Sequence, residues 1–253
     1  MNVNKVPTPP PIGLALSEFG RAGAEGLRLA TGLRRLVREH AGGDGHPVLV
    51  MPGYGAADGS TGVLRHFLQR IGYRPFALGL GRNVEGLENR IQSVDDATRF
   101  RERMVEEAVE RIRDIHRETG EQVSLVGWSM GGLYALDASR LVPELTRRVI
   151  TLGSPFGDPR GTSLFMLMRR LSGSTVPLEM QDFDSWLDKA AEPAVPTRVI
   201  YSERDGIVGA QIARLPDSPY TEHVQVDSSH MAFALNPSAL AAVAESLAMQ
   251  PVH

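Results

Sequence analysis

Gly127-Trp128-Ser129-Met130-Gly131 sets one serine between two glycines, directly after an apolar run and directly before a helical pattern. A G-x-S-x-G turn between strand and helix holds its serine at strained backbone angles and lifts Oγ clear of the chain, where it can attack a carbonyl. The glycines let the two backbones approach without Cβ atoms between them. The same turn aims the N–H of Met130 at the space in front of Oγ. By composition alone roughly 0.2 such patterns arise by chance in a chain of this length, so the placement carries more weight than the pattern.

A serine nucleophile needs a base, and the base needs an orienting acid. In chains with this elbow the order is serine, acid, histidine, each at the C-terminal end of a strand. Seven histidines compete for the base. His40, His46, His66 and His116 precede Ser129, His253 ends the chain, and His223 begins a strand pattern. His230 sits in Asp227-Ser228-Ser229-His230-Met231, after the last strand pattern and before the last helical one. For the acid, Asp205 lies in Tyr201-Ser-Glu-Arg-Asp-Gly-Ile-Val208, directly after an apolar run. Glu203 is its nearest rival; Asp217 reads as a surface turn, and Asp182, Asp184 and Asp188 fall in an insertion.

The elements that must position these residues alternate along the chain. Apolar runs predict strands over 47–51, 73–80, 122–126, 148–152, 197–201 and 223–226. Helical patterns predict helices over 61–70, 96–119, 130–142 and 237–249. In the longest of these, Phe100, Met104, Ala108, Ile112 and Ile115 mark one face, and Gly120 stops it. Alternating strands and helices imply crossover connections, hence an α/β class with a mainly parallel sheet and helices on both faces.

Two segments depart from the alternation. Residues 1–45 form an N-terminal extension with a proline-rich start and an amphipathic helix over 12–40, preceding a domain over 46–253. Leu16, Phe19, Leu27, Ala30, Leu33, Leu36 and Val37 are its expected core-facing stripe, while Arg28, Arg34, Arg35 and Arg38 would give a basic face, which leaves peripheral membrane contact open. Five glycines inside it weaken the helix, each costing about 1 kcal/mol against alanine. The second segment, about 156–196, predicts two short amphipathic helices inserted between strands as a lid or cap. Its Met- and Phe-rich faces either line an apolar acyl pocket or fasten the insertion to the domain. Phe156, Phe165, Met166, Met180 and, in the elbow, Trp128 are the substrate-lining candidates, with Trp128 leaning toward packing.

Composition excludes several alternatives. The chain has no cysteine, which rules out disulfides, thiolate zinc sites, iron–sulfur clusters and a cysteine nucleophile. A net charge of −3 gives no pull toward nucleic acid, and the arginine clusters alternate with glutamates as on solvated helix faces. No metal-ligand motif, dinucleotide fingerprint or Walker pattern occurs, so no metal or cofactor is expected. No apolar run nears the roughly 20 residues of a membrane span. Lys5 and Pro7-Thr8-Pro9-Pro10-Pro11 look unlike a secretory leader, so the expectation is cytoplasmic. Oligomeric state leaves no mark in the sequence.

Together these segments resemble the α/β-hydrolase superfamily, and within it the bacterial lipase- and esterase-like branch. The resemblance rests on Pro47-Val-Leu-Val-Met-Pro-Gly-Tyr54, Val126-Gly-Trp-Ser-Met-Gly-Gly132, Thr151-Leu-Gly-Ser-Pro155, Ser202-Glu-Arg-Asp-Gly-Ile-Val208 and Ser229-His230. It implies an α/β-hydrolase fold, with Ser129, Asp205 and His230 as catalytic residues and the backbone N–H groups of Tyr54 and Met130 as an oxyanion hole. Lipases of this branch often carry His-Gly where this chain has Pro52-Gly53. The expected activity is hydrolysis of a small-molecule or lipid-like carboxylic ester with an apolar acyl or aromatic part. Acyl transfer, thioester or amide cleavage on the same residues, and a non-catalytic binding protein on this fold, are the alternatives. With His230 as base, activity should rise with pH through a midpoint near 6.5 for an unperturbed imidazole.

Overall fold

The computed structural model describes residues 7–80, 93–163 and 192–249. Six strands, β1 (Pro47–Met51), β2 (Arg74–Ala77), β3 (Val123–Trp128), β4 (Thr146–Leu152), β5 (Thr197–Tyr201) and β6 (Thr221–Gln225), pair in the order β2-β1-β3-β4-β5-β6, all parallel. Among the described residues the α-helices are α1 (Ile12–Glu39), α2 (Gly62–Arg70), α3 (Val94–Thr119), α4 (Met130–Leu141) and α5 (Pro237–Ala248). Strand β1 is wholly buried because alternate residues feed two different cores. Leu49 and Met51 join α3 and α4 on one face; Val48 and Val50 join α1, α2 and α5 on the other. This two-sided burial is why the strands read as unbroken apolar runs.

Differences from the sequence expectation lie mostly at element ends. Strand β3 continues through Gly127 and Trp128, where the glycine had suggested a turn. Strand β2 is shorter than the 73–80 run. Helix α3 starts earlier than expected: the Ser93 side chain accepts from the Asp96 N–H, while the Asp96 carboxylate accepts from the Ser93 N–H. After β4 the chain passes buried Phe156 and a short 3-10 turn (Pro159–Gly161); the two helices expected in the insertion lie outside the described residues.

Helix α1 requires a larger correction. It runs unbroken through its glycines; of the expected stripe, Leu33, Leu36 and Val37 pack on the core, while Leu16, Phe19, Leu27 and Ala30 do not. Leu29 and Val37 are buried in the second half, whereas in the first half the buried residues are Glu18 and Glu25. Ile12, Leu16, Phe19 and Leu27 are 68–79% exposed. The physical reason is that the first half of α1 covers loops rather than sheet. Loops present backbone N–H groups, and carboxylates satisfy those where leucines would not. Among the described residues no helix is long and apolar enough to cross a membrane.

The order of strands around the sheet reverses between β1 and β3. In open α/β sheets the crevice beyond the carboxyl ends at such a switch point is where ligands bind. The turn after β1 and the elbow after β3 meet there.

Candidate active site

Ser129 is built at the junction of β3 and α4. It has φ 55° and ψ −125°, and among the described residues it is the only non-glycine with positive φ. Its N–H donates to the Leu152 carbonyl at 2.8 Å, so the neighbouring strand holds the strained turn. A Cβ on Gly131 would lie 2.4 Å from the Met51 carbonyl oxygen and 2.7 Å from that of Pro52, so α4 starts hard against the end of β1. A Cβ on Gly53 would lie 2.9 Å from Ser129 Cβ, which places the turn after β1 directly over the serine. Tyr54 and Met130, the two expected amide donors, flank this crossing. The Tyr54 ring rests edge-on against Phe100, 5.4 Å between centroids, which fixes the turn.

His230 lies just beyond β6, buried at the start of a short 3-10 turn (His230–Ala232). Its Nε2 is 3.0 Å from Ser129 Oγ, and its Nδ1 is 2.7 Å from Asp205 Oδ2. A carboxylate only accepts, so Nδ1 carries the proton and Nε2 is left to accept from the serine hydroxyl. Asp205 is 3% exposed and follows β5; its Oδ1 accepts from the N–H groups of Ile207 and Val208 at 2.8 and 2.7 Å. Glu203, the rival acid, is exposed. Burial pushes the His230 imidazole down, but the charge and hydrogen bond of Asp205, joined by the charge of Glu18, outweigh it, leaving the pKa above its ordinary 6.5. The sequence expectation of an unperturbed imidazole is therefore corrected upward.

The remaining candidates separate. Trp128 is buried in the core shared with α1, α2 and α5, and its indole N–H donates to the His230 carbonyl at 3.0 Å, so it holds the base rather than facing a substrate. Phe156 is 1% exposed within the core of α3 and α4, which makes it a core residue instead of a pocket wall. Phe165, Met166 and Met180 lie outside the described residues.

A second serine–histidine–aspartate array occurs at the opposite end of the strands. Ser124 Oγ is 2.8 Å from His46 Nε2, and His46 Nδ1 meets Asp44. Ser124 is the second residue of β3 and has no exposure, facing neither a strained turn nor a helix start. Burial comes first among the influences on His46 and leaves its pKa lowered, the opposite of His230. The array satisfies buried polar groups.

No family model matches this chain, and no curated protein does. Solved structures do match in shape. A lipase from Bacillus licheniformis superposes with TM-score 0.58 at 17% identity, covering 83% of this chain and 94% of its own. A monoacylglycerol lipase from Paleococcus ferrophilus gives 0.54 at 18%, covering 79% and 93%. An α/β-hydrolase enzyme from a lagoon-sediment metagenome gives 0.50 at 17%, covering 81% and 90%. This chain has the α/β-hydrolase fold. In that fold Ser129 occupies the turn between β3 and α4, and the loops of Asp205 and His230 follow β5 and β6.

Two residues that sequence reasoning passed over reach this site. Glu18 and Glu25 of α1 accept hydrogen bonds from the loops carrying Asp205 and His230. The available signal was an i, i+7 pair of acids in line with Leu29 and Leu36 further along the helix.

Proposed function

We propose that this chain is a serine hydrolase that cleaves carboxylic esters with an apolar acyl or aromatic part. The observation that carries the reading is the unbroken relay from strained Ser129 through His230 to buried Asp205, with contacts of 3.0 and 2.7 Å. Ser129 Oγ attacks the acyl carbonyl as His230 Nε2 takes its proton. Asp205 keeps the proton on Nδ1 and stabilises the imidazolium. The N–H groups of Tyr54 and Met130 meet the developing oxyanion, each worth roughly 3 kcal/mol in comparable sites. The alcohol leaves with the proton from His230, and water, deprotonated by the same nitrogen, releases the acid and restores Ser129. The lipase names among the structural matches agree with an ester substrate.

The test is covalent trapping. A fluorophosphonate should add one phosphonyl mass to the intact protein and place it on the Ser129 peptide, while nitrophenyl esters of graded chain length report turnover. Absence of the adduct on that peptide would end the reading.

A further inference from the structure

Buried carboxylates belong where something charged or N–H-bearing must be held, and α1 carries two of them, two helical turns apart on one face. Glu18 is 1% exposed, and its two oxygens go to two different loops. Oε1 accepts from the Gly206 N–H at 2.7 Å, and Oε2 accepts from the Met231 N–H at 3.0 Å. Gly206 is the residue after the acid Asp205, and Met231 is the residue after the base His230. Glu25, 7% exposed, takes the other side of the base. It accepts from the Ser229 N–H at 3.1 Å, from the Ser228 hydroxyl at 3.2 Å and from the Asn236 side-chain amide at 2.7 Å. The chain before and after His230 is thus fastened to one helix, and the Asp205 loop to the same helix. Contact is close: a Cβ on Gly206 would sit 2.6 Å from the Leu14 carbonyl.

We propose that Glu18 is a positioning residue which clamps the acid and base loops in register and holds a fixed negative charge beside the His230 imidazolium. The N-terminal segment, expected from sequence to lie beside the domain, then completes the site. This inference rests on the serine-hydrolase reading. Around the imidazole, Asp205 faces Nδ1 from the loop after β5, and the Glu18 carboxylate of α1 sits on the Met231 N–H, the peptide group that follows His230. Arg21 pairs with Glu18 Oε1 at 2.7 Å and offsets part of that charge. Glu25 lies one peptide away, and Arg204 and Asp227 pair with each other at the exposed rim.

The discriminating variants are Glu18→Gln, which keeps the shape and removes the charge, and Glu18→Asp, which keeps the charge and cannot span both loops. In E18Q one oxygen becomes an amide donor facing another donor, so one loop is released. Turnover on a nitrophenyl ester should fall by about 10- to 100-fold with KM changed less than about twofold. The midpoint of the pH–rate profile should drop by roughly half a unit to one unit, because the vanished carboxylate no longer favours the imidazolium. E18D should lose rate but keep the wild-type midpoint. The His230 imidazole titration by NMR reads the same midpoint without turnover, so it tests the clamp even if the wild type takes no fluorophosphonate and the hydrolase reading fails. An E18Q midpoint equal to wild type, or an E18D midpoint that falls as far as that of E18Q, overturns the proposal, whatever the loss of rate. Should E18Q fail to fold, hydrogen exchange on the wild type decides. The Gly206 and Met231 amides should exchange far more slowly than exposed loop amides, and exchange at the open-loop rate overturns the clamp.

Discussion

Asp205→Asn isolates what the acid does, because the surrounding hydrogen bonds dictate how the new side chain must sit. Asp205 Oδ1 lies under two N–H donors, from Ile207 and Val208, at 2.8 and 2.7 Å. An amide nitrogen turned that way would face two donors, so the substituted side chain keeps its oxygen there and presents its NH2 to His230 Nδ1. The imidazole must then accept at Nδ1 and carry its proton on Nε2, which faces Ser129 Oγ at 3.0 Å. The serine loses its base without any loss of packing. The equivalent change in serine proteases costs about 10⁴ in kcat for this tautomer reason, which at about 1.4 kcal/mol per decade is roughly 5 kcal/mol of transition-state stabilisation. Fold stability should fall by only about 1–2 kcal/mol, since one charge-assisted hydrogen bond becomes a neutral one. Nitrophenyl ester turnover beside a thermal melt measures both. Turnover within tenfold of wild type in a folded variant would refute the reasoning and move the acid elsewhere, with exposed Glu203 first in sequence.

The pH dependence has a fixed sign. His230 must be neutral to accept the serine proton, and its pKa is raised, so kcat/KM should climb with pH through a midpoint above 6.5; a flat profile from pH 5 to 9 would remove histidine as base. Linkage runs the other way. A raised folded-state pKa contributes stability that is complete below the unfolded value of about 6.5 and is lost as pH rises through the folded value, so the His230 contribution to Tm should shrink as activity grows. Ser124→Ala should leave turnover and fluorophosphonate labelling unchanged and cost about 1 kcal/mol for a buried hydrogen bond; lost labelling would mean the second array takes part. Gly131→Ala should abolish most turnover, by at least about 100-fold, and destabilise by about 1–3 kcal/mol, because its Cβ meets backbone at 2.4 Å. A variant with wild-type kinetics would show that α4 is not seated against the turn after β1.

Legibility followed locality. Ser129 could be found because strand, turn and helix signals are contiguous around it, and the close approach of the backbones at the elbow leaves room only for glycine at 127 and 131. Asp205 and His230 required only chain order and strand ends, since a parallel sheet delivers every strand's carboxyl end to one side. The burial pattern of α1 could not be found that way. Its leucines and phenylalanine suit a core-facing stripe, and its glutamates suit a wet surface, yet Phe19 is 77% exposed and Glu18 is 1%. Periodicity reports that a helix has two unlike faces; it does not report what each face meets. Where the neighbour is an apolar layer of side chains, apolar residues turn inward. Where it is a pair of loops with unpaired N–H groups, burying leucine would strand those donors at about 1–3 kcal/mol each, and carboxylates turn inward instead. The inversion along α1 changes where the helix leaves the apolar layer it shares with α5 and crosses the loops of Asp205 and His230. On α1, the two glutamates buried against the rule for their type therefore mark where the scaffold meets the loops of Asp205 and His230.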